Sequence, residues 1–272
     1  MRPYTVLTTI PLVATLVVVA ACGDGGNSPA PAGTASATSL PEGDAPVDLD
    51  PADFTADIDN PYWPMAVGTQ WAYREVDEEG NEQAVAVTVS AETKEIANGV
   101  TARVVRDTVT QDGAVVEDTF DWYAQDGDGT VWYLGEDTAE FEGGEVSSTE
   151  GSFEAGVDGA LPGVIMPAEP ADGMRYRQEY LEGEAEDNGE VLGTDEMAEV
   201  PYGQYDKALL TKDTIAIEPD VLEYKLYARG VGPVLTLGVS GGGGREELTD
   251  VTEVTDAVAK AAGTTPLGQP YQ

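Results

Sequence analysis

Histidine is absent from this chain of 272 residues. That excludes Ser-His-Asp and Cys-His catalysis and every His-ligated zinc or haem site. Cysteine occurs once, at Cys22, so an exported form of the chain has no internal disulfide. Bases are scarce, with 13 Lys and Arg against 51 Asp and Glu, for a formal charge of −38. A surface so acidic repels nucleic acid and anionic headgroups, and no nucleic-acid partner is expected. A phosphate-cradling loop is also missing. Gly241 to Gly244 are four glycines with no following Lys-Ser/Thr, which reads as a linker or hairpin loop. The chemistry left open is that of carboxylates and oxygen-ligated metals. With this many acids, a carboxylate pair in the sequence carries no information by itself.

The first residues are of a different kind. Arg2 precedes an apolar run from Val6 to Val19, interrupted by Thr8, Thr9, Pro11 and Thr15 and ending in Val19-Ala20-Ala21-Cys22. A short positive start, an apolar core and small residues before a cut make residues 1–21 a signal peptide. The run is shorter than the ~20 apolar residues of a bilayer span. Val-Ala-Ala-Cys resembles the bacterial lipobox. The resemblance implies a lipoprotein signal, with diacylglyceryl transfer to the Cys22 thiol, cleavage before it, and a palmitate-type acyl anchor. The expected location is exported, extracytoplasmic and held to the membrane by lipid. Residues 22–55, dominated by Gly, Ser, Pro, Ala, Thr and Asp, read as a flexible tether with too little apolar surface to fold. Its reach is on the order of 30 Å.

From 56 to 250 the texture is β. Val85, Val87 and Val89 share one strand face, as do Phe120, Trp122 and Ala124. Leu222, Tyr224 and Leu226 form another, with Glu223, Lys225 and Tyr227 opposite. This period of two predicts antiparallel sheet with one buried face. Val251, Val254 and Val258 have helical spacing, for a short helix or frayed end within a 251–272 tail.

A repeat runs through the β region. Trp122-Tyr123-Ala124 leading to Val131-Trp132-Tyr133-Leu134-Gly135 is echoed by Leu226-Tyr227-Ala228 leading to Val234-Leu235-Thr236-Leu237-Gly238. Gly68 with Trp71 matches Gly173 with Tyr176, Gly99 matches Gly203, and Asp107-Thr108 matches Asp213-Thr214. All hold a spacing of roughly 104 residues, too long for a solenoid repeat. The expected fold is all-β: an internally duplicated antiparallel meander of about ten strands. The copies span about 64–136 and 170–239, closed as a barrel or folded as a curved two-sheet sandwich. The Gly-rich stretch 136–170 between them is either a flap over a barrel mouth or a segment that plugs the core.

Asn60-Pro61-Tyr62-Trp63-Pro64 and Gly68-Thr69-Gln70-Trp71-Ala72-Tyr73 resemble a group of uncharacterised exported bacterial β-rich lipoproteins. So do the Trp122 to Glu136 hairpin and Pro201-Tyr202-Gly203-Gln204-Tyr205. The resemblance implies a cell-envelope β domain and carries no activity and no catalytic residue.

Two binding readings follow from the residues. Trp71, Tyr73, Trp122, Tyr176, Tyr180 and Tyr224 could line one interior and take a small apolar ligand, or they could fill a core. Asp126 and Asp128, two residues apart in a tight turn, could contribute to a calcium site, or form an ordinary Asp-Gly hairpin. The leading expectation is a non-enzymatic, membrane-anchored domain for a small apolar ligand, a lipid or an envelope protein. A calcium-binding envelope protein and a carboxylate hydrolase are the alternatives.

Overall fold

The computed structural model describes residues 40–76, 80–241 and 244–272. The expected signal peptide, Cys22 and the tether up to residue 39 lie outside them. Fifteen strands form one antiparallel sheet. They are β1 (Phe54–Thr55), β2 (Thr69–Val76), β3 (Glu82–Glu95), β4 (Thr101–Gln111), β5 (Ala114–Asp126), β6 (Val131–Glu142), β7 (Glu145–Ser148), β8 (Phe153–Glu154), β9 (Gly163–Met166), β10 (Arg175–Arg177), β11 (Asp187–Val200), β12 (Gly203–Ile215), β13 (Leu222–Ala228), β14 (Gly232–Ser240) and β15 (Arg245–Glu253). A helix, α1 (Asp256–Thr264), follows.

The spatial order is β10-β11-β12-β13-β14-β15-β2-β3-β4-β5-β6-β7. Two meanders, β2–β6 and β10–β14, therefore sit side by side, and their internal pairing repeats. Asp107 pairs Thr119 in the first as Asp213 pairs Glu223 in the second. The Gly68 amide donates to the Val89 carbonyl at 2.9 Å, and that of Gly173 to Val191 at 2.8 Å. The strand that joins the copies is β15, which pairs β14 on one side and β2 on the other. Its Arg-Glu-Glu-Leu-Thr-Asp-Val-Thr-Glu sequence has little apolar alternation, which is why ten strands were expected without it.

The sheet curves but does not close. β10 has only three residues, and an isolated bridge between Leu161 and Tyr180 is what spans from it towards the β9 end. The expected all-β, antiparallel fold is what forms, and of the two expected closures the barrel is not made: among the described residues the sheet is open and curved. Residues 153–166 return to β6 as β8 and β9, with Phe153, Ala155, Ala160, Val164 and Met166 buried. The stretch between the copies is a plug, not a flap. Gly163 is required there: a Cβ would stand 1.9 Å from the Gln178 carbonyl oxygen.

Two terminal segments are also more ordered than expected. Residues 40–55, read as tether, pack on the domain through Leu40, Val47, Leu49 and Phe54. The buried Arg177 guanidinium donates to the carbonyls of Gly43, Ala45 and Pro162, pinning that segment. Its apolar residues are too sparse to show a period. At the other end Thr255 caps α1 by accepting from the Val258 amide. Ala259 and Ala262 then pack on β3 and β4, so the tail is neither frayed nor free.

Candidate functional site

Residues paired directly across an antiparallel ladder point to the same side. One such row runs Val191, Thr211, Lys225, Thr236, Glu246, Glu75 and Gln83 across seven strands. A second runs Trp71, Val87, Asp107, Thr119 and Thr138, and a third Val89, Val105, Asp121 and Glu136. These rows form the concave face. Trp63 shows the curvature: its ring lies 5.7 Å from both Tyr123 of β5 and Tyr227 of β13, strands far apart in the sheet order.

Trp63 is the floor of this hollow. Asn60 holds it there, donating from Nδ2 to the carbonyls of Gly129 at 2.8 Å and Pro167 at 3.1 Å. The amides of Asp59 and Asn60 both donate to Gln125 Oε1. Around the floor Tyr123 stacks on Tyr133 at 4.8 Å. Trp71 Nε1 donates to the Val231 carbonyl, and the Tyr73 hydroxyl to that of Pro233. The Asn-Pro-Tyr-Trp-Pro segment seals one end of a cup.

The walls are acidic. Asp107, Asp121, Glu136, Asp213, Glu223 and Glu246 lie on the inner face, and Glu179 and Asp187 are raised by burial first and then by neighbouring acids of this wall. Lys225 is the base among them, with Nζ 3.1 Å from Asp213 Oδ2 and 3.4 Å from Glu223 Oε2. Burial, followed by the charge of Asp121, pushes Glu136 up to about 8. Burial likewise lifts Glu246 to about 7 and Asp121 and Asp187 to about 6. Asp107 and Glu179 are held well above the usual carboxylate range, again by burial first and then by facing acids. Burial opposes the charge of Lys225, but Asp213 and Glu223 outweigh it and raise its pKa. These acids influence one another across the hollow: Glu246 acts on Asp107, and Asp187 on Glu136. The hollow is open to water, since the side chains of Lys225 and Glu223 keep 30% and 31% of their surface. At its rim a cavity of about 290 Å³ is lined by Glu75, Gln83, Val109, Glu117 and Glu140.

In one arrangement inside, a hydroxyl is shared between two carboxyls. Tyr133 Oη lies 2.7 Å from both Asp121 Oδ1 and Glu136 Oε2. A hydroxyl has one proton to give. Tyr133 therefore donates to one carboxyl at a time, and the other contact is satisfied when that carboxyl carries a proton, which burial favours on Glu136, the more strongly raised of the two.

The six aromatic candidates divide. Trp71, Tyr73 and Tyr176 are on the concave face and buried. Trp122 pairs Val104 and lies on the opposite face, with Lys94 Nζ 4.1 Å from its ring centroid. Tyr224 is on the opposite face too, in the row of Lys212 and Leu237. Tyr180 lies in the loop after β10. One interior lined by all six is therefore corrected to three of them. On β13 it is Glu223, Lys225 and Tyr227, not the apolar row, that look into the cup. A shared inner face needs Tyr123, Tyr133 and Tyr227 in place of Trp122 and Tyr224.

Asp126 and Asp128 do not come together. Asp126 Oδ1 accepts from the amides of Asp128 at 3.0 Å and Thr130 at 2.9 Å, and Oδ2 accepts from Trp132 Nε1 at 2.9 Å. Asp128 is exposed at the tip. Asp126 staples the β5–β6 turn, so Asp126→Ala should cost on the order of 2–3 kcal/mol. A fall of about 5 °C in the unfolding midpoint is the expected reading. An unchanged midpoint would mean the turn stands without the staple. Among the described residues no group of three or more acids is placed to hold one metal ion.

No protein-family model matches the chain, and no curated protein matches its sequence. A crystal structure described as a "putative lipoprotein" from Parabacteroides distasonis is similar at 12% identity and a TM-score of 0.36, covering 70% of this chain and 98% of the other. A likeness of that degree assigns neither kinship nor activity.

Proposed function

We propose that the chain is an extracytoplasmic binding protein, fixed to a membrane by lipid on Cys22, whose cup takes up a small molecule. The observation that carries the binding half is the cup itself. Trp63 closes one end, water reaches the walls, and polar groups line the inside where a purely structural sheet would be packed with apolar side chains. The anchoring half rests on the signal-like segment ending in Val-Ala-Ala-Cys22. The interior is polar and acidic, so the reading of an apolar ligand gives way to one that carries polar groups. The function is binding, with the hydrogen-bonded Asp121–Tyr133–Glu136 group as part of the wall.

Cys22→Ser tests the anchor. In a bacterial host the wild-type chain should incorporate a palmitate analogue and sediment with membranes. The variant should lose the label completely, and most of it should appear in the soluble or secreted fraction. Label retained on the variant, or membrane association unchanged, would remove the lipid from the proposal.

A further inference from the structure

The sheet has a seam where β9, which pairs β6, comes beside β10, which pairs β11. Among the described residues no ladder joins β9 to β10. They are linked by one amide, that of Leu161, which donates to the Tyr180 carbonyl at 2.8 Å. Beside it the backbones of Gly163 and Gln178 stand too close for a Cβ between them. The strands on either side are held by ladders, so this is a weak line in the wall. Residues 40–49 lie over it. The Arg177 amide, on the edge of β10 away from β11, donates to the Pro41 carbonyl at 2.7 Å. The Arg177 guanidinium gathers all three parts. Nε donates to the Pro162 carbonyl at 2.9 Å, just ahead of β9, and Nη1 donates to Gly43 at 2.8 Å and to Ala45.

Two features make this clasp releasable. The first is its energy. Arg177 is 0% exposed, its side-chain partners are three carbonyls with no carboxylate among them, and Nη2 is buried without a partner. A buried charge that lacks an opposite charge is costly, and water relieves that cost once the guanidinium is uncovered. The closed and open states are therefore nearer in free energy than the contacts alone suggest. The second is that the far end of the segment is fixed separately. Phe54 and Thr55 pair β5, the Phe54 ring meets Trp132 edge-on, and Arg103 Nε donates to the Ala56 carbonyl at 3.1 Å. Only the partly buried Leu40, Val47 and Leu49 add apolar contact ahead of that point. We infer that residues 40–49 are a releasable latch: with Arg177 they hold β9 against β10, and when they lift, the seam parts as one unit while both meanders stay folded. This goes beyond the cup as a binding site, since it concerns how the wall opens whether or not a molecule enters there. The latch also lies on the side of the chain that carries Cys22, so a pull from that side reaches Pro41 before any strand.

Native-state hydrogen exchange on the intact protein, followed through a series of low denaturant concentrations, tests the latch. Three amides report on it: Ala45, bonded to the Glu42 carbonyl within the strap, Arg177, bonded to Pro41, and Leu161, bonded across the seam to Tyr180. In the wild type they should exchange through one shared opening, with a weaker denaturant dependence than the amides of β4 and β5, which exchange on global unfolding. Arg177→Lys keeps the charge, but an ammonium cannot serve carbonyls set around a planar fork. In this variant the amides of Ala45, Leu161 and residue 177 should exchange about tenfold faster together, while those of β4 and β5 change by less than about twofold. Three results would each overturn the inference. Leu161 exchanging only with β4 and β5 in the wild type removes the separate opening, and that reading needs no variant to fold. Faster exchange at Ala45 with Leu161 unchanged makes residues 40–49 a fraying end that holds nothing. Equal acceleration of every amide makes Arg177 a brace of the whole domain.

Discussion

Arg106→Ala is expected to lower the thermal unfolding midpoint by roughly 10 °C and to release the C-terminal segment from the sheet. Arg106 and Asp118 are paired on β4 and β5 with 0% and 1% of their side chains exposed. Arg106 Nε lies 2.9 Å from Asp118 Oδ1, and Nη2 is bonded to Oδ2. The other guanidinium protons go to the end of the chain: Nη1 to the Thr265 carbonyl at 2.9 Å, and Nη2 to those of Pro266 and Gln269 at 3.2 and 3.3 Å. Tyr271 covers the guanidinium at 4.4 Å and shares a hydrogen bond with Thr88. Asp118 in turn accepts from the Gly268 amide and the Thr108 hydroxyl, each at 2.7 Å. One ion pair therefore holds the turn after α1 as well as two strands. Removing one partner of such a pair costs about 3–5 kcal/mol, because the other charge stays buried and unpaired. In a chain of this size each kcal/mol is worth about 2–4 °C. Arg106→Lys should recover little, since an ammonium cannot fork to one carboxylate and reach three carbonyls. Hydrogen exchange supplies the specific reading: amides of 256–271 should lose protection before those of β11 and β12. Uniform loss of protection would show that the pair supports the whole sheet and not the docking of the tail.

Much of this architecture could be read from the residues, and the part that could not has a physical cause. Period-two alternation located the strands, and repeated Gly and aromatic positions located the duplication, because turns and core faces leave a local imprint. Register leaves one as well: Asp107 and Asp213 occupy equivalent positions in the two copies. What alternation does not record is which face becomes concave. On β13 the apolar row Leu222, Tyr224 and Leu226 was the natural candidate for an interior. The sheet instead curls around Glu223, Lys225 and Tyr227. The burial of acids is invisible for the same reason. Glu136 and Glu140 are indistinguishable in sequence, yet Glu136 shares a hydroxyl with Asp121 while Glu140 stands at the exposed rim. Arg106 gave no signal either, since its carbonyl partners lie about 160 residues further on. The Asn-Pro-Tyr-Trp-Pro segment was legible as the start of folded chain, but its role as the floor depends on Tyr123 and Tyr227 arriving from opposite walls.

The acids inside the cup give the protein an unusual pH dependence: it should be more stable at pH 5.5 than at pH 8.5, by roughly 5–10 °C in the unfolding midpoint. A carboxyl whose pKa is higher in the folded than in the unfolded state makes the folded protein the better proton binder. Its stabilising contribution is complete below the unfolded value and is lost as pH rises through the folded one. Here the folded values are about 6 for Asp121 and Asp187, about 7 for Glu246 and about 8 for Glu136. The loss therefore begins near the unfolded carboxyl value of about 4 and is complete at about pH 6 for Asp121 and Asp187, 7 for Glu246 and 8 for Glu136. A tenfold change in proton affinity is worth about 1.4 kcal/mol. Discounted for the water that reaches these groups, the total is on the order of 3 kcal/mol. Carboxylates with lowered pKa work in the opposite sense: Glu190 and Glu247, bonded to Arg175 and to Arg245 and Arg74, lose their contribution as pH falls towards 4. A maximum near pH 5 results. General repulsion within a chain of charge −38 also favours acid, so the slope alone does not identify the cause. Glu136→Gln does. The amide cannot ionise but can still donate to Tyr133, so the variant should match wild type at pH 5.5 and exceed it at pH 8.5. A variant that tracks wild type across the range would place the effect on the outer surface. A midpoint that rises with pH in the wild type would mean the inner acids are ionised and hydrated in the folded state.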